Sequence, residues 1–214
     1  LFAALDGHKM SYHLFDEGFP NPTEELVQKG YAAYQAEGCD YIIAFGGGSP
    51  IDTAKAIKIL TANPGPSTAY SGVSKVLNAG VHLVAINTTA GTAAEMTSNA
   101  VIIDTVRQEN EVIIDSNIIP DIAVDDASVM LDIPASVTAA TGMDALTHAV
   151  EAYVSVGAHP LTDANALEAI RLITLWLPKA VDDGHNLEAR EQMAFGQYLA
   201  GMACLKRQLW GKAQ

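Results

Sequence analysis

The apolar residues of this chain follow two rhythms that change over near residue 127. Before that point, short runs rich in β-branched residues alternate with helical stretches. Tyr41-Ile42-Ile43-Ala44-Phe45 is an unbroken apolar run, followed at once by Gly46-Gly47-Gly48. Val81-His82-Leu83-Val84-Ala85-Ile86 is a second, followed by Thr88-Thr89-Ala90-Gly91-Thr92. Short apolar runs closed by turn residues predict buried strands. Val101-Ile102-Ile103-Asp104 and Val112-Ile113-Ile114-Asp115 predict two strands joined by a polar turn, and Ile122-Ala123-Val124 a last short strand. Beyond residue 127, residues 134–155, 162–177 and 187–203 carry apolar positions at helical spacing. Pro134, Pro160-Leu161-Thr162 and Asp183-Gly184 mark the breaks between them. The pattern predicts an α/β domain with a mostly parallel sheet over residues 1–127 and an all-helical domain over 128–203. Residues 204–214 form an atypical tail.

Composition narrows the function classes. With 214 residues, 49% of them hydrophobic and 17% charged, the chain can bury a core and is not a disordered polymer. A net charge of −13 argues against nucleic acid or an anionic membrane as the main partner. No apolar run reaches the roughly 18 residues that cross a bilayer. Leu1-Phe2-Ala3-Ala4-Leu5-Asp6 lacks the basic start of a secretory leader. Cys39 and Cys204 lie too far apart for a disulfide framework or a zinc-finger spacing, which fits a reducing, cytoplasmic compartment.

The candidate chemistry begins at the glycine turn. Ser49 suits a helix N-cap, Pro50 the first helical position, and Asp52 places a carboxylate in the first turn. A helix N-terminus after a strand offers free amides to a pyrophosphate, and glycine lets the phosphate approach the backbone. The spacing is not G-x-G-x-x-G, so a tight turn without a ligand stays open. The threonine turn, Asn87 to Thr92, also follows a strand. Its hydroxyls suit ribose or phosphate oxygens, or simply cap a helix start.

Asp144 and His148 stand four apart in a predicted helix and share one face. A carboxylate and an imidazole so placed can bind one divalent metal, but further ligands must come from elsewhere. On spacing alone a surface ion pair is the stronger reading. The remaining histidines (His8, His13, His82, His159 and His185) read as solvated or structural. Cys39 reads as a packing residue.

Taken together, four motifs in order resemble the iron-containing alcohol dehydrogenase family. They are Pro20-Asn21-Pro22-Thr23, the segment Gly46 to Lys55, the segment Thr88 to Thr97, and the segment Thr141 to Tyr153. The resemblance runs from about Leu1 to Ala203. It is closest to the branch containing lactaldehyde reductase and 1,3-propanediol dehydrogenase. It implies NAD-linked interconversion of a small primary alcohol and an aldehyde, with the dinucleotide between the two domains. By similarity, Gly47, Gly48 and Ser49 would meet the pyrophosphate. Asn21, Asp52, Thr88, Thr89, Thr92 and Thr97 would contact the rest of the cofactor. Asp144 and His148 would be catalytic as the first two of four metal ligands, for iron or alternatively zinc. The resemblance also implies a homo-oligomer for the whole protein.

The chain departs from the family pattern at several places. The third and fourth metal-ligand histidines of the family have no counterpart, since no histidine follows His185. The family's opening strand is missing, and Asn110 stands where the family usually has a lysine near the cofactor. Shifting the reading frame of the tail by one base, with one choice of codons, gives a peptide like the family's continuation up to the third ligand. The expectation is therefore a fragment, truncated at both ends and frameshifted near residue 204. As an alternative to an active enzyme, it is an inactive remnant that binds dinucleotide weakly or associates with itself.

Overall fold

The computed structural model describes the backbone of residues 1–210 and the side chains of residues 1–204. The expectation of an atypical tail over 204–214 lies, beyond Cys204, outside the described side chains. Helices α1 (Phe2–Gly7) and α2 (Glu24–Ala36) precede strand β1 (Tyr41–Gly46). Thr23 caps α2, its hydroxyl accepting the Leu26 amide, and Glu24 and Glu25 favour the positive end of the helix. Strand β1 runs into α3 (Gly48–Leu60). Then come β2 (Gly72–Val73), β3 (His82–Asn87), β4 (Asn99–Asp104), β5 (Glu109–Ile114) and β6 (Ile122–Val124).

The strands form two three-stranded sheets. One is fully parallel in the order β1-β3-β6. The other has the order β2-β5-β4, with β4 and β5 antiparallel and β2 parallel to β5. The expected strand pair is therefore present, but it belongs to its own sheet. The turn at residues 105–108 is too short for the crossover that a parallel pair needs.

Helix α3 packs against both sheets. Ile51 and Ala54 meet Leu83 and Ala85 of the parallel sheet, while Ile59 and Leu60 join Ile102 and Ile113 of the mixed one. Every residue from Thr53 to Leu60 is buried, including Lys55 and Lys58. A buried lysine must find acceptors. The Lys58 ammonium donates to Asp121 Oδ2 at 3.0 Å and to the Ile119 carbonyl at 3.1 Å. Burial pushes the Asp121 carboxyl up, but the Leu83 amide, Lys58 and His82 outweigh it and hold the group at about 2.

The helical part contains α4 (Ala135–Tyr153), α5 (Pro160–Asp182) and α6 (Leu187–Trp210). The three expected helices exist, but α5 extends beyond its expected bounds at both ends. Pro160 does not break it; it occupies the first turn, where its missing N–H costs nothing. His159 caps this start, its ring nitrogen facing the Leu161 amide while its own amide donates to Thr162 Oγ1. The helix also continues through Pro178 to Asp182. Alanines at 145, 149, 169, 180, 189 and 200 line the contacts, letting the helices approach closely around Ile173 and Met193. No helix among the described residues is long and apolar enough to cross a membrane.

Candidate functional site: a glycine-threonine cleft beside an Asp–His pair

Parallel pairing of β1 with β3 aligns Phe45 with Ile86 and Gly46 with Asn87. The glycine turn and the threonine turn thus leave the same edge of the sheet side by side. That is the carboxyl edge, where ligands of α/β folds bind. The turns touch. A Cβ on Gly47 would come within 3.0 Å of the Thr89 side chain, and one on Gly48 within 3.3 Å of Thr92 Oγ1. Both approaches are tight, so a side chain at either glycine needs the facing threonine to give by a few tenths of an ångström. The Thr88 amide also donates to the Gly46 carbonyl at 3.0 Å.

The helix start differs from expectation. Gly47 is the N-cap of α3, in extended conformation, so Ser49 and Pro50 already lie inside the helix. Ser49 does not cap; its Oγ accepts the Asn21 amide at 3.3 Å and so ties the Pro20–Thr23 motif to the glycine turn. Asn21 itself adopts φ 59°, a left-handed conformation that asparagine tolerates. The threonine turn starts no helix. Asn87 Oδ1 instead accepts the Thr89 amide at 3.0 Å, a local turn that competes with helix formation.

A cleft of about 450 Å³ opens between these turns, the β4–β5 hairpin and the helices. Of the sequence candidates, Asn21, Gly48, Ser49, Asp52, Thr92, Thr97 and His148 line it. Gly47, Thr88, Thr89 and Asp144 are not among its lining residues. Gly47 and Thr89 instead pack on one another behind it. Asn110 does line the cleft, placing a neutral side chain in its wall. The first-turn amides of α3 have no acceptor within the helix, and the helix dipole adds positive potential. Asp52 turns inward, accepting the Val101 amide at 3.0 Å. Burial raises its pKa, and Lys55 opposes the rise.

Asp144 Oδ2 lies 3.6 Å from His148 Nε2, and both side chains are partly exposed. They fit two positions of a divalent ion's shell. Among the described residues no group of three or more histidine, cysteine, aspartate or glutamate donors comes together, so they set no third such donor beside this pair. Glu151 and Cys204 also line the cleft, and the Cys204 thiol donates to the His148 carbonyl at 3.3 Å. His13, His82 and His185 lie beside acidic partners elsewhere.

Sequence reasoning missed a buried polar layer behind the cleft. Lys55 and Glu95 are fully buried, as is Gln197 from α6. Gln197 Nε2 donates to Glu95 Oε1 at 2.9 Å, and Asn87 Nδ2 to Asp125 Oδ1 at 3.2 Å. This layer joins the helical part to the α/β part. Burial, then the neighbouring Asp125 charge, push the Glu95 carboxyl up to about 7. A carboxyl raised in the folded state stabilises fully below its unfolded value, and that contribution is lost as pH rises through about 7. The melting temperature should therefore fall from about pH 5 to about pH 8, and Glu95→Gln should flatten that slope. Melting curves across this range check it; an unchanged slope in the variant contradicts it. A lysine inside the apolar stretch Ile51 to Leu60 was the available signal for this layer.

Known proteins resemble this chain in sequence and fold. The profile "Iron-containing alcohol dehydrogenase" matches residues 1–127, and "Fe-containing alcohol dehydrogenase family, C-terminal" matches residues 138–212. The chain is 48% identical to NAD-dependent methanol dehydrogenase of Bacillus methanolicus over 190 residues, covering 89% of this chain and 50% of that protein. Among solved structures, 1,3-propanediol oxidoreductase superposes with a TM-score of 0.92 at 44% identity, covering 95% of this chain and 55% of the other. Sulfoacetaldehyde reductase from Bifidobacterium kashiwanohense, solved with NAD+, gives 0.85 at 28% identity, covering 96% and 57%. The chain spans about half the length of the curated relatives it matches. With both profiles matched in order, the chain belongs to the iron-containing alcohol dehydrogenase family.

Proposed function

We propose that this chain carries the dinucleotide-binding part and half of the metal site of an NAD-dependent alcohol dehydrogenase. The substrate class is a small primary alcohol or its aldehyde. The observation that carries the reading is the cleft, where the N-terminus of α3 and the threonine turn face His148 across one cavity. Gly48, Ser49 and Thr92 would receive the pyrophosphate, with Gly47 and Thr89 shaping the turn from behind. Asn21, Asp52 and Thr97 would position the nucleoside portions, with Thr88 tying the threonine turn to Gly46 beside them. The protein's part is to hold the nicotinamide against the substrate carbon; the hydride chemistry is the cofactor's. Asp144 and His148 would hold the ion together with donors supplied elsewhere, and iron or zinc would act there as a Lewis acid on the substrate oxygen. We read residues 1–127 and 128–203 as the two lobes that enclose the cofactor. Exposed apolar side chains on the helical part, such as Val154, Leu161 and Phe195, support self-association. A cytoplasmic setting suits the two free cysteines.

The two-donor metal site favours a second reading for the chain by itself, in which it binds dinucleotide without turning substrate over. Metal retention and propanediol oxidation separate the two. In full-length relatives the counterpart of Asp144→Ala should lower iron or zinc retention more than about tenfold and stop turnover with it. Normal turnover in such a variant contradicts the assigned metal site. For this chain with ferrous iron and NAD+ added, the two-donor site predicts no oxidation, and steady oxidation would overturn the second reading.

A further inference from the structure

Lys55 lies entirely inside the fold, yet its ammonium meets three oxygens. They are the Asn99 carbonyl at 2.8 Å, the Thr97 carbonyl at 2.9 Å and Thr97 Oγ1 at 3.2 Å. An ammonium has three hydrogens to donate and accepts none. Three acceptors therefore use it completely, and Thr97 Oγ1 must be the acceptor in its contact with Lys55. A threonine hydroxyl has a single hydrogen of its own. Its acceptor within the protein is the Ala94 carbonyl at 3.4 Å, far beyond the usual hydroxyl distance of about 2.8 Å. Thr97 is also a lining residue of the cleft. The hydrogen is thus free to turn toward whatever occupies the cavity.

We propose that Lys55 is a positioning residue that orients the Thr97 hydroxyl as a hydrogen-bond donor into the cleft, where it recognises an acceptor atom of the bound dinucleotide. The inference rests on the dinucleotide reading of the cleft. Lys55 does not touch the ligand. It acts by occupying the lone pair of Thr97 that would otherwise let the hydroxyl present itself as an acceptor. It also anchors the irregular strip between β3 and β4, which belongs to neither strand and joins the mixed sheet where the Ser98 carbonyl accepts the Asp115 amide at 2.8 Å. The charged groups that face Lys55 are Asp52 from its own helix and Glu95 from that strip. Asp125 in turn faces Glu95. Burial lowers the lysine to about 8, against the pull of Asp52 and Glu95, so the ammonium persists at neutral pH and is lost in mild alkali.

Titration of NAD+ into the chain tests this. Thr97→Val should weaken binding about fivefold, the worth of one hydrogen bond, and Thr97→Ser should restore it. In a Lys55→Met background, Thr97→Val should have no further effect, because the hydroxyl is no longer oriented. Where Lys55→Met does not fold, the pH profile decides. The dissociation constant of the unsubstituted chain should rise severalfold between about pH 7 and about pH 9.5, and Thr97→Val should flatten that rise. Independent, multiplicative effects of the two substitutions, or identical pH profiles, overturn the proposal while NAD+ still binds. Absence of NAD+ binding by the folded, unsubstituted chain instead overturns the dinucleotide reading on which it rests.

Discussion

Gly201→Val should lower the melting temperature of the chain by several degrees, corresponding to about 2–3 kcal/mol. Gly201 lies on α6 where that helix crosses the strip after the threonine turn. A Cβ there would come within 2.5 Å of the Ala93 Cβ and 3.1 Å of Met96 Sδ. Ala93 cannot swing aside as a long side chain would. It is 1% exposed, and its backbone holds φ 54°, a left-handed conformation that any shift must disturb. The two parts of the fold would have to separate along the seam that Gln197 and Glu95 bridge. Gly18→Val is the control, because a Cβ there meets nothing within 4 Å. Thermal melts of the two variants settle the matter. Equal stability would mean that the helical part does not bear on the threonine strip as described.

Gly48→Val should reduce NAD+ affinity at least about 100-fold, roughly 2.7 kcal/mol, with a smaller loss of stability. The space between the start of α3 and the threonine turn is already tight, with Thr92 Oγ1 3.3 Å from an added Cβ. A branched side chain would extend from there into the cavity and shield the first-turn amides from a phosphate. Gly48→Ala should be milder, since a single methyl needs only a small adjustment of a threonine hydroxyl. Calorimetric titration of both variants reads the difference. Unchanged affinity in Gly48→Val would place the ligand elsewhere.

Much of this was legible in the chain because it is written locally. The runs at 41–45 and 81–86, each closed by turn residues, announce β1 and β3 and the two turns that follow them. The helical spacing after residue 127 announces α4, α5 and α6. What stayed illegible is set by distant partners. Ser49 carries every mark of an N-cap, but the amide that claims its hydroxyl is that of Asn21, 28 residues away. Asn99, Val101 and Asn110 reach the cleft through a hairpin of the second sheet, which no local pattern ties to α3. Lys55 stands out in an apolar stretch, but its acceptors on Thr97 and Asn99 lie 42 and 44 residues further on. Asp144 and His148 show the opposite case. Their spacing suits a surface pair as well as a metal, and 3.6 Å between them suits both too. The family resemblance carries that assignment.

The most direct measurement is calorimetric titration of NAD+ into this folded chain. A cleft built from the α3 N-terminus and the threonine turn predicts saturable one-site binding with a dissociation constant below about 1 mM, abolished in Gly48→Val. No saturable binding by the folded chain, or binding that survives Gly48→Val unchanged, would contradict it.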